Sequence, residues 1–140
     1  MTLATLAPAI TEIALALSIC VVLMFDVFAG RSWRYLTHGL TLVVLAICAW
    51  LTVTVGAVHE RTVLFDGLYV ADRLGVFLKL AALMATALSL FYSQAYLDRR
   101  RIHGGEYDIL SMTTLLGICV LVSANSLLTV YLGVELLSLS

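Results

Sequence analysis

Long apolar runs constrain the fold more than any other feature of this 140-residue sequence. A helix that crosses a bilayer needs about 20 mostly apolar residues, because each residue advances it by about 1.5 Å. Three such runs occupy Ala9–Phe28, Tyr35–Val58 and Asp72–Tyr96, and a fourth stretch, Ile109–Val134, contains no Asp, Glu, Lys or Arg. The pattern predicts an all-α, polytopic bundle of transmembrane helices.

The composition supports a membrane protein. Hydrophobic residues make up 62% of the chain and charged residues 12%, with a mean hydropathy of +1.06. Soluble domains carry about 25% charged residues, so this chain could not cover its surface with polar groups in water. The net charge of -1 provides no basic face for nucleic acid. The cysteines Cys20, Cys48 and Cys119 lie within apolar runs and form no C-x-x-C pair, which predicts neither a disulfide framework nor a zinc site.

The last apolar stretch is too long for one span. A continuous helix from Tyr107 to Ser140 would be about 50 Å long, whereas the hydrocarbon layer is about 30 Å thick. The segment SANS, Ser123–Ser126, predicts a break, because Ser and Asn side chains cap free backbone N–H groups. We therefore expect a fourth span over about Glu106–Ala124 and a fifth, incomplete helix that starts near Ser126.

The loop charges predict the orientation. The first loop contains Arg31 and Arg34, and the third contains Arg99–Arg101 within the polar segment Leu97–Asp108, where a Gly-Gly pair predicts a loop. The second loop has one arginine, balanced by two carboxylates. Positive loops face the cytoplasm, so the N-terminus is expected outside. Without a cleavable signal or a transit segment, the prediction is a multi-pass protein of the bacterial inner membrane, or alternatively of an organelle inner membrane.

Glu135 is the candidate proton-transfer residue. It lies nine residues after Ser126, about 14 Å along the fifth helix and near the middle of the hydrocarbon layer. A carboxylate there costs several kcal/mol unless it is neutral, paired or hydrated. Such a group could change its protonation when its partner moves. If the helix did not break, Glu135 would instead be an ordinary flanking charge at the far interface.

Other charges within the spans have plainer interpretations. Lys79, about 10 Å into the third span, is a candidate charge partner, although it could also snorkel to the interface or pair with a neighbouring carboxylate. Glu12 suits the first turn of a helix, where the dipole favours an anion. Asp26 can reach the cytoplasmic interface or pair with Arg31 or Arg34.

The sequence contains no local motif for bound cofactors. It has no Gly-rich phosphate loop, no HExxH pattern and no nucleophile elbow. The three histidines, His38, His59 and His103, are not spaced as metal ligands, and no role is assigned to them. The expectation is that this chain itself binds neither a metal nor a cofactor.

The last quarter of the chain, Gly105–Ser140, resembles a known family. The carrying elements are GEY at Gly105–Tyr107, SAN at Ser123–Asn125 and G-x-E-L-x-S-L at Gly133–Leu139. Together they resemble the fourth and fifth transmembrane helices of subunit N of proton-pumping NADH–quinone oxidoreductase, respiratory complex I, equivalent to mitochondrial subunit 2. The segment GVFLKL, Gly75–Leu80, is similar to the family's third helix, whereas residues 1–70 share only hydropathy and topology.

The resemblance implies that Glu135 is the glutamate of the proton channel, which pairs in the family with a lysine on a later helix. It implies an antiporter-like fold, with residues 1–140 as a single membrane domain that forms the N-terminal portion of a longer subunit. NADH, FMN, iron–sulfur clusters and quinone would be bound elsewhere in the complex. The partners would be other membrane subunits and the lipid bilayer.

The function predicted is redox-coupled proton translocation as a membrane-arm subunit of NADH–quinone oxidoreductase. In that role the chain belongs to an enzyme but performs no redox chemistry itself. Two rivals remain at this stage: a subunit of a monovalent cation/proton antiporter, and a non-catalytic membrane protein for assembly or scaffolding.

Overall fold

A computed structural model describes residues 10–29, 34–56, 62–64, 69–100 and 104–140. Within these residues five helices follow one another, and a short antiparallel hairpin interrupts them: β1 pairs with β2 from Thr62↔Ala71 to Leu64↔Tyr69. The elements in chain order are α1 Ile10–Ala29, α2 Arg34–Gly56, β1 Thr62–Leu64, β2 Tyr69–Ala71, α3 Arg73–Arg100, α4 Gly104–Val122 and α5 Leu127–Leu139. The all-α membrane class is confirmed, and the hairpin was not predicted.

Helix α4 is the central element of the bundle. It packs against each of the other four helices, whereas α1 otherwise packs on α2, and α2 on α3. The buried apolar side chains come from α1 to α4 and form one core: Leu15, Val22, Leu45, Cys48, Leu83, Leu90, Met112, Leu115 and Cys119. This arrangement explains why α4 carries small and polar residues among its apolar ones, since it contacts four other helices.

The outer surface of the bundle is apolar. Large side chains such as Phe28, Trp50 and Phe77 are 80%, 71% and 68% exposed. Exposing so many large apolar groups to water is unfavourable, whereas lipid solvates them. Three helices are long and apolar enough to cross a membrane, over Ile10–Phe28, Leu36–Thr54 and Arg73–Gln94. The surface and the helix lengths therefore agree on a bilayer environment.

The predicted third loop was too long. Helix α3 continues through Arg100, and α4 already begins at Gly104, so most of Leu97–Asp108 is helical. Arg and Leu are good helix formers, which lets α3 extend beyond its apolar part. The Gly104-Gly105 pair opens α4, and Glu106 in its first turn complements the helix dipole.

The predicted break at Ser123–Ser126 is confirmed. Helix α4 ends at Val122, and Ser126 caps α5 with extended backbone angles of φ -129° and ψ 154°. The Ser126 hydroxyl accepts a hydrogen bond from the Thr129 N–H at 3.3 Å. Serine thus satisfies one of the free N–H groups at the start of α5, which is the physical basis of the break.

After the break, α5 runs back along α4. An ideal Cβ at Gly117 would lie 3.3 Å from the Gly133 carbonyl oxygen, and the Thr114 hydroxyl donates to the Ser140 hydroxyl at 2.9 Å. At Gly133, an ideal Cβ would be only 2.7 Å from Leu121 Cγ. Glycine is needed at these two positions because the helix backbones approach closely.

Replacing Gly133 with Ala is expected to destabilise the bundle by about 1–3 kcal/mol, because Leu121 and the α4 backbone must move. Gly39→Ala is the matched control, since a Cβ there meets nothing within 4 Å and Ala favours a helix. Thermal unfolding of the purified protein in detergent would measure both. Equal stability of the two variants would contradict the close approach of α4 and α5.

Candidate functional site

The chain topology brings charged residues together at two opposite ends of the bundle. Successive helices alternate in direction, so the start of α1, the start of α3 and the α4–α5 break share one end. The starts of α2 and α4 lie at the other end. Contact between Gly75 and Val122, 3.6 Å from an ideal Cβ to Val122 Cγ1, places the start of α3 beside the break.

The first site, which we term the Glu12 cluster, comprises Glu12, Lys79 and Ser123. Lys79 Nζ donates to Glu12 Oε1 in an ion pair, and the side chains of Lys79 and Glu12 are only 7% and 11% exposed. The hydroxyl of Ser123 donates to the same carboxylate oxygen at 3.4 Å. A buried charge is tolerated when it is paired and hydrogen-bonded, and here each charge supplies the partner of the other.

Local structure explains why these three residues meet. Glu12 lies in the first turn of α1. Asp72 caps α3 by accepting from the Leu74 N–H at 2.7 Å, which starts the helix six residues before Lys79. Ser123 follows the last residue of α4, and its N–H still donates to the Cys119 carbonyl oxygen at 3.2 Å, so the end of α4 brings its hydroxyl to the cluster. For Lys79, the structure selects pairing with a neighbouring carboxylate over snorkelling, and Glu12 has a partner as well as a favourable helix dipole.

The second site, which we term the His38 pair, joins α2 to α4. His38 Nδ1 lies 3.1 Å and 3.3 Å from the two carboxylate oxygens of Asp108. The two side chains are 9% and 3% exposed, and Asp26 of α1 acts electrostatically on Asp108. Sequence analysis did not find this pair. The sequence feature that could have indicated it is that His38 and Asp108 each lie four residues after the start of a helix, and the topology places these two helix starts at the same end of the bundle.

Glu135 lies on α5 at a depth between these two sites. Gly133 faces Gly117, and Ser140 reaches Thr114, so Glu135 is level with the middle of α4. Its side chain is exposed on the bundle surface and forms no ion pair within the described residues 10–29, 34–56, 62–64, 69–100 and 104–140. The ion pair seen for Lys79 is with Glu12, rather than with Glu135.

The face of α5 around Glu135 is otherwise apolar. Tyr131, Leu132 and Val134 are 68%, 51% and 51% exposed. In lipid, a single carboxyl group on such a face is costly unless it is protonated or paired. These features define the class of this molecule: a polytopic α-helical membrane protein with acidic and basic side chains held inside the membrane-spanning bundle.

Comparison with known proteins gives the family resemblance. The chain is 44% identical over 133 residues to NADH-quinone oxidoreductase subunit N of Nitrosomonas europaea, which covers 95% of this chain and 27% of that protein. Proteins of the same name from Thiobacillus denitrificans and Herminiimonas arsenicoxydans are 42% and 40% identical, each over 96% of this chain and 28% of their own length. No family model matches the chain.

The predicted resemblance to subunit N is confirmed by these comparisons. It extends over about 95% of the chain and therefore includes most of residues 1–70, where the sequence alone showed only hydropathy and topology. The chain spans a little over a quarter of the length of the curated relatives it matches. The buried acidic and basic residues of the Glu12 cluster and the His38 pair thus belong to a chain that is similar to part of NADH-quinone oxidoreductase subunit N.

Breaking the Glu12 cluster on one side is expected to destabilise the protein strongly. Glu12→Gln or Lys79→Met alone removes the ion-pair partner of a buried charge, which costs about 3–5 kcal/mol. The double variant removes both charges and should recover a large part of that loss. Unfolding measurements in detergent would test this, with Glu106→Gln, an exposed acid of α4, as the control. Simple addition of the two single losses would show that the pair is not energetically coupled.

Proposed function

We propose that this chain forms part of a membrane-arm subunit of a proton-pumping NADH–quinone oxidoreductase and takes part in redox-coupled proton translocation. The observation that carries the proposal is the similarity to subunit N over 95% of the chain. The arrangement of charges supports it, because ionisable groups lie at both ends of the bundle and at its middle depth. The names of the relatives do not favour a cation/proton antiporter.

In this proposal Glu135 takes up and releases the proton at the middle of the membrane. The cost of a bare carboxylate in lipid favours its neutral form, whereas a nearby positive charge favours the ionised form. Lys79 would supply that positive charge, and the negative charge of Glu12 would reduce its effect on Glu135. In this proposal the Glu12 cluster influences Glu135: a change in the ion pair between Lys79 and Glu12 would change the proton affinity of Glu135.

Redox chemistry would take place in other subunits. NADH, FMN, iron–sulfur clusters and quinone belong to the complex as a whole in this proposal, and other membrane subunits and lipid are the partners of the chain. The described residues contain no group of three or more His, Cys, Asp and Glu side chains that could hold a metal ion. Residues 1–140 would be one membrane domain at the N-terminal side of an antiporter-like subunit.

The proposed location is the bacterial inner membrane, with the N-terminus outside. Arginines of the third loop would then face the cytoplasm. A cysteine in place of Ile102, in a chain with its three native cysteines replaced by serine, should react with a membrane-impermeant maleimide in inside-out vesicles. Reaction only in right-side-out cells would contradict this orientation and would place the third loop outside.

Glu135→Gln tests the proton-transfer role directly. The variant keeps the size and polarity of the side chain but cannot release a proton, so proton pumping by the assembled complex is expected to fall by about tenfold or more. NADH-driven acidification of inside-out vesicles, scaled to the amount of assembled complex, is the measurement. Glu106→Gln, an exposed acid near the start of α4, serves as control and should pump normally. Normal pumping by Glu135→Gln would instead favour a scaffolding role.

A further inference from the structure

We propose that His38 and Asp108 form a second proton-binding site, at the end of the bundle opposite the Glu12 cluster. The proposal deepens the proposed translocation function and rests on it, because the proton released from His38 would enter the translocation path. Its ligand is a proton exchanged between the aqueous side next to the first and third loops and the interior of the bundle. The proposal rests on geometry: His38 and Asp108 form a pair between two helices, and Nε2 of His38 is placed to accept a proton.

The pair is enclosed by protein. His38 and Asp108 are 7% and 2% exposed, although each lies only four residues, about 6 Å, from the start of its helix. Polar side chains this close to a helix end could point into the water at the interface. These two instead turn inward and meet between α2 and α4. The fold therefore keeps an ionisable pair just inside the bundle rather than on its rim.

The hydrogen bond to Asp108 sets the chemistry of the imidazole. When Nδ1 carries the hydrogen and donates it to the carboxylate, Nε2 keeps its lone pair and is the basic atom. His38 Nε2 is buried and has no hydrogen-bond partner among the residues that the structure describes. An acceptor placed this way can take a proton at Nε2, form an imidazolium that stays bound to Asp108, and return to the neutral ring when the Nε2 proton leaves.

Two carboxylates lie at the end of the bundle where His38 is found. Asp108 on α4 contacts the ring, and Asp26 on α1 adds a second carboxylate that acts on Asp108. Opposite charge at 3–4 Å stabilises an imidazolium most strongly where water is excluded. Lys79, the buried lysine of the bundle's described part, is at the other end, where Glu12 is its ion-pair partner. Within the described residues, the carboxylate in contact with His38 is thus Asp108, and Asp26 acts on that carboxylate.

The position of the pair links it to Glu135. Asp108 and Gly117 lie on the same helix, nine residues or about 14 Å apart, and Glu135 is level with Gly117. Ser123, at the Glu12 cluster, is six residues or about 9 Å beyond Gly117 on the other side. In depth, the order along α4 is therefore the His38 pair, Glu135 and the Glu12 cluster, which is the order needed for a stepwise path.

A purely structural pair predicts a different response to substitution. Asn in place of Asp108 keeps the size of the side chain and a carbonyl oxygen that can accept from Nδ1–H, so a structural clamp would be largely preserved. A proton site would lose the negative charge that stabilises the imidazolium. Asp108→Asn therefore separates the two roles, and Asp108→Glu should partly rescue the proton site because it restores the carboxylate.

The experiment uses the complete enzyme complex in inside-out membrane vesicles. NADH oxidation and proton uptake are recorded together for wild type, Asp108→Asn, Asp108→Glu, His38→Gln and the control Thr41→Val. Thr41 is a buried residue of α2, one turn from Thr37, whose carbonyl oxygen its hydroxyl contacts at 3.0 Å. We expect about a tenfold or larger fall in protons moved per electron in Asp108→Asn and His38→Gln, with partial recovery in Asp108→Glu and a normal ratio in Thr41→Val.

Two results would overturn the proposal. One is a normal ratio of protons to electrons in Asp108→Asn and His38→Gln, when Glu135→Gln still abolishes pumping; the proposed function would then stand and only the second site would fail. The other is loss of assembled complex in His38→Gln while Asp108→Asn assembles and keeps a normal ratio of protons to electrons, which is the response expected of a structural clamp. If Glu135→Gln also pumps normally, the proposed function itself fails, and the two failures are thus distinguished.

Discussion

The ion pair between Lys79 and Glu12 is the interaction on which the architecture depends. It connects two helices that are 67 residues apart in sequence, and Ser123 adds the end of a third. Neither charge would be stable at this depth alone, because a lone ion in a low-dielectric interior costs several kcal/mol after relaxation. The pair therefore requires α1, α3 and the α4–α5 break to share one end of the bundle.

The same break determines where Glu135 lies. Because Ser126 starts a new helix, α5 folds back along α4 instead of continuing towards water. Close packing of Gly117 on Gly133 then fixes the level of Glu135 beside the middle of α4. A serine cap, two glycines and one ion pair thus account for an acid in the apolar layer.

Much of this fold was predictable from the sequence, because the hydrophobic runs of α1, α2 and α3 are as long as a bilayer is thick. The break was predictable because Ser and Asn cap helices locally. The hairpin of β1 and β2 was missed, because a three-residue strand in a polar loop has no hydrophobic pattern long enough to detect. The predicted third loop is too long, because charged residues after an apolar run indicate a loop, whereas Arg99 and Arg100 extend α3.

The candidate sites were predictable only in part. Lys79 and Glu135 stand out as charges within apolar runs, and pairing of Lys79 with a nearby carboxylate was foreseen. The identity of that carboxylate was not, because Glu12 looked adequately explained by the helix dipole. The His38 pair was not found, since it depends on a contact between residues 70 apart that no local pattern reports. Long-range ion pairs follow from helix packing, and packing partners are not encoded in hydropathy.

The depth of the α5 segment tests the central claim most directly. A nitroxide label placed at Val134 of the complete subunit in lipid bilayers reports depth through its relative exposure to oxygen and to a polar nickel complex. The fold predicts a label close to the bilayer centre, since position 134 lies about 12 Å along α5 from its cap. A label in contact with water at the far interface would show that α4 continues without a break, and would contradict an acid held within the membrane.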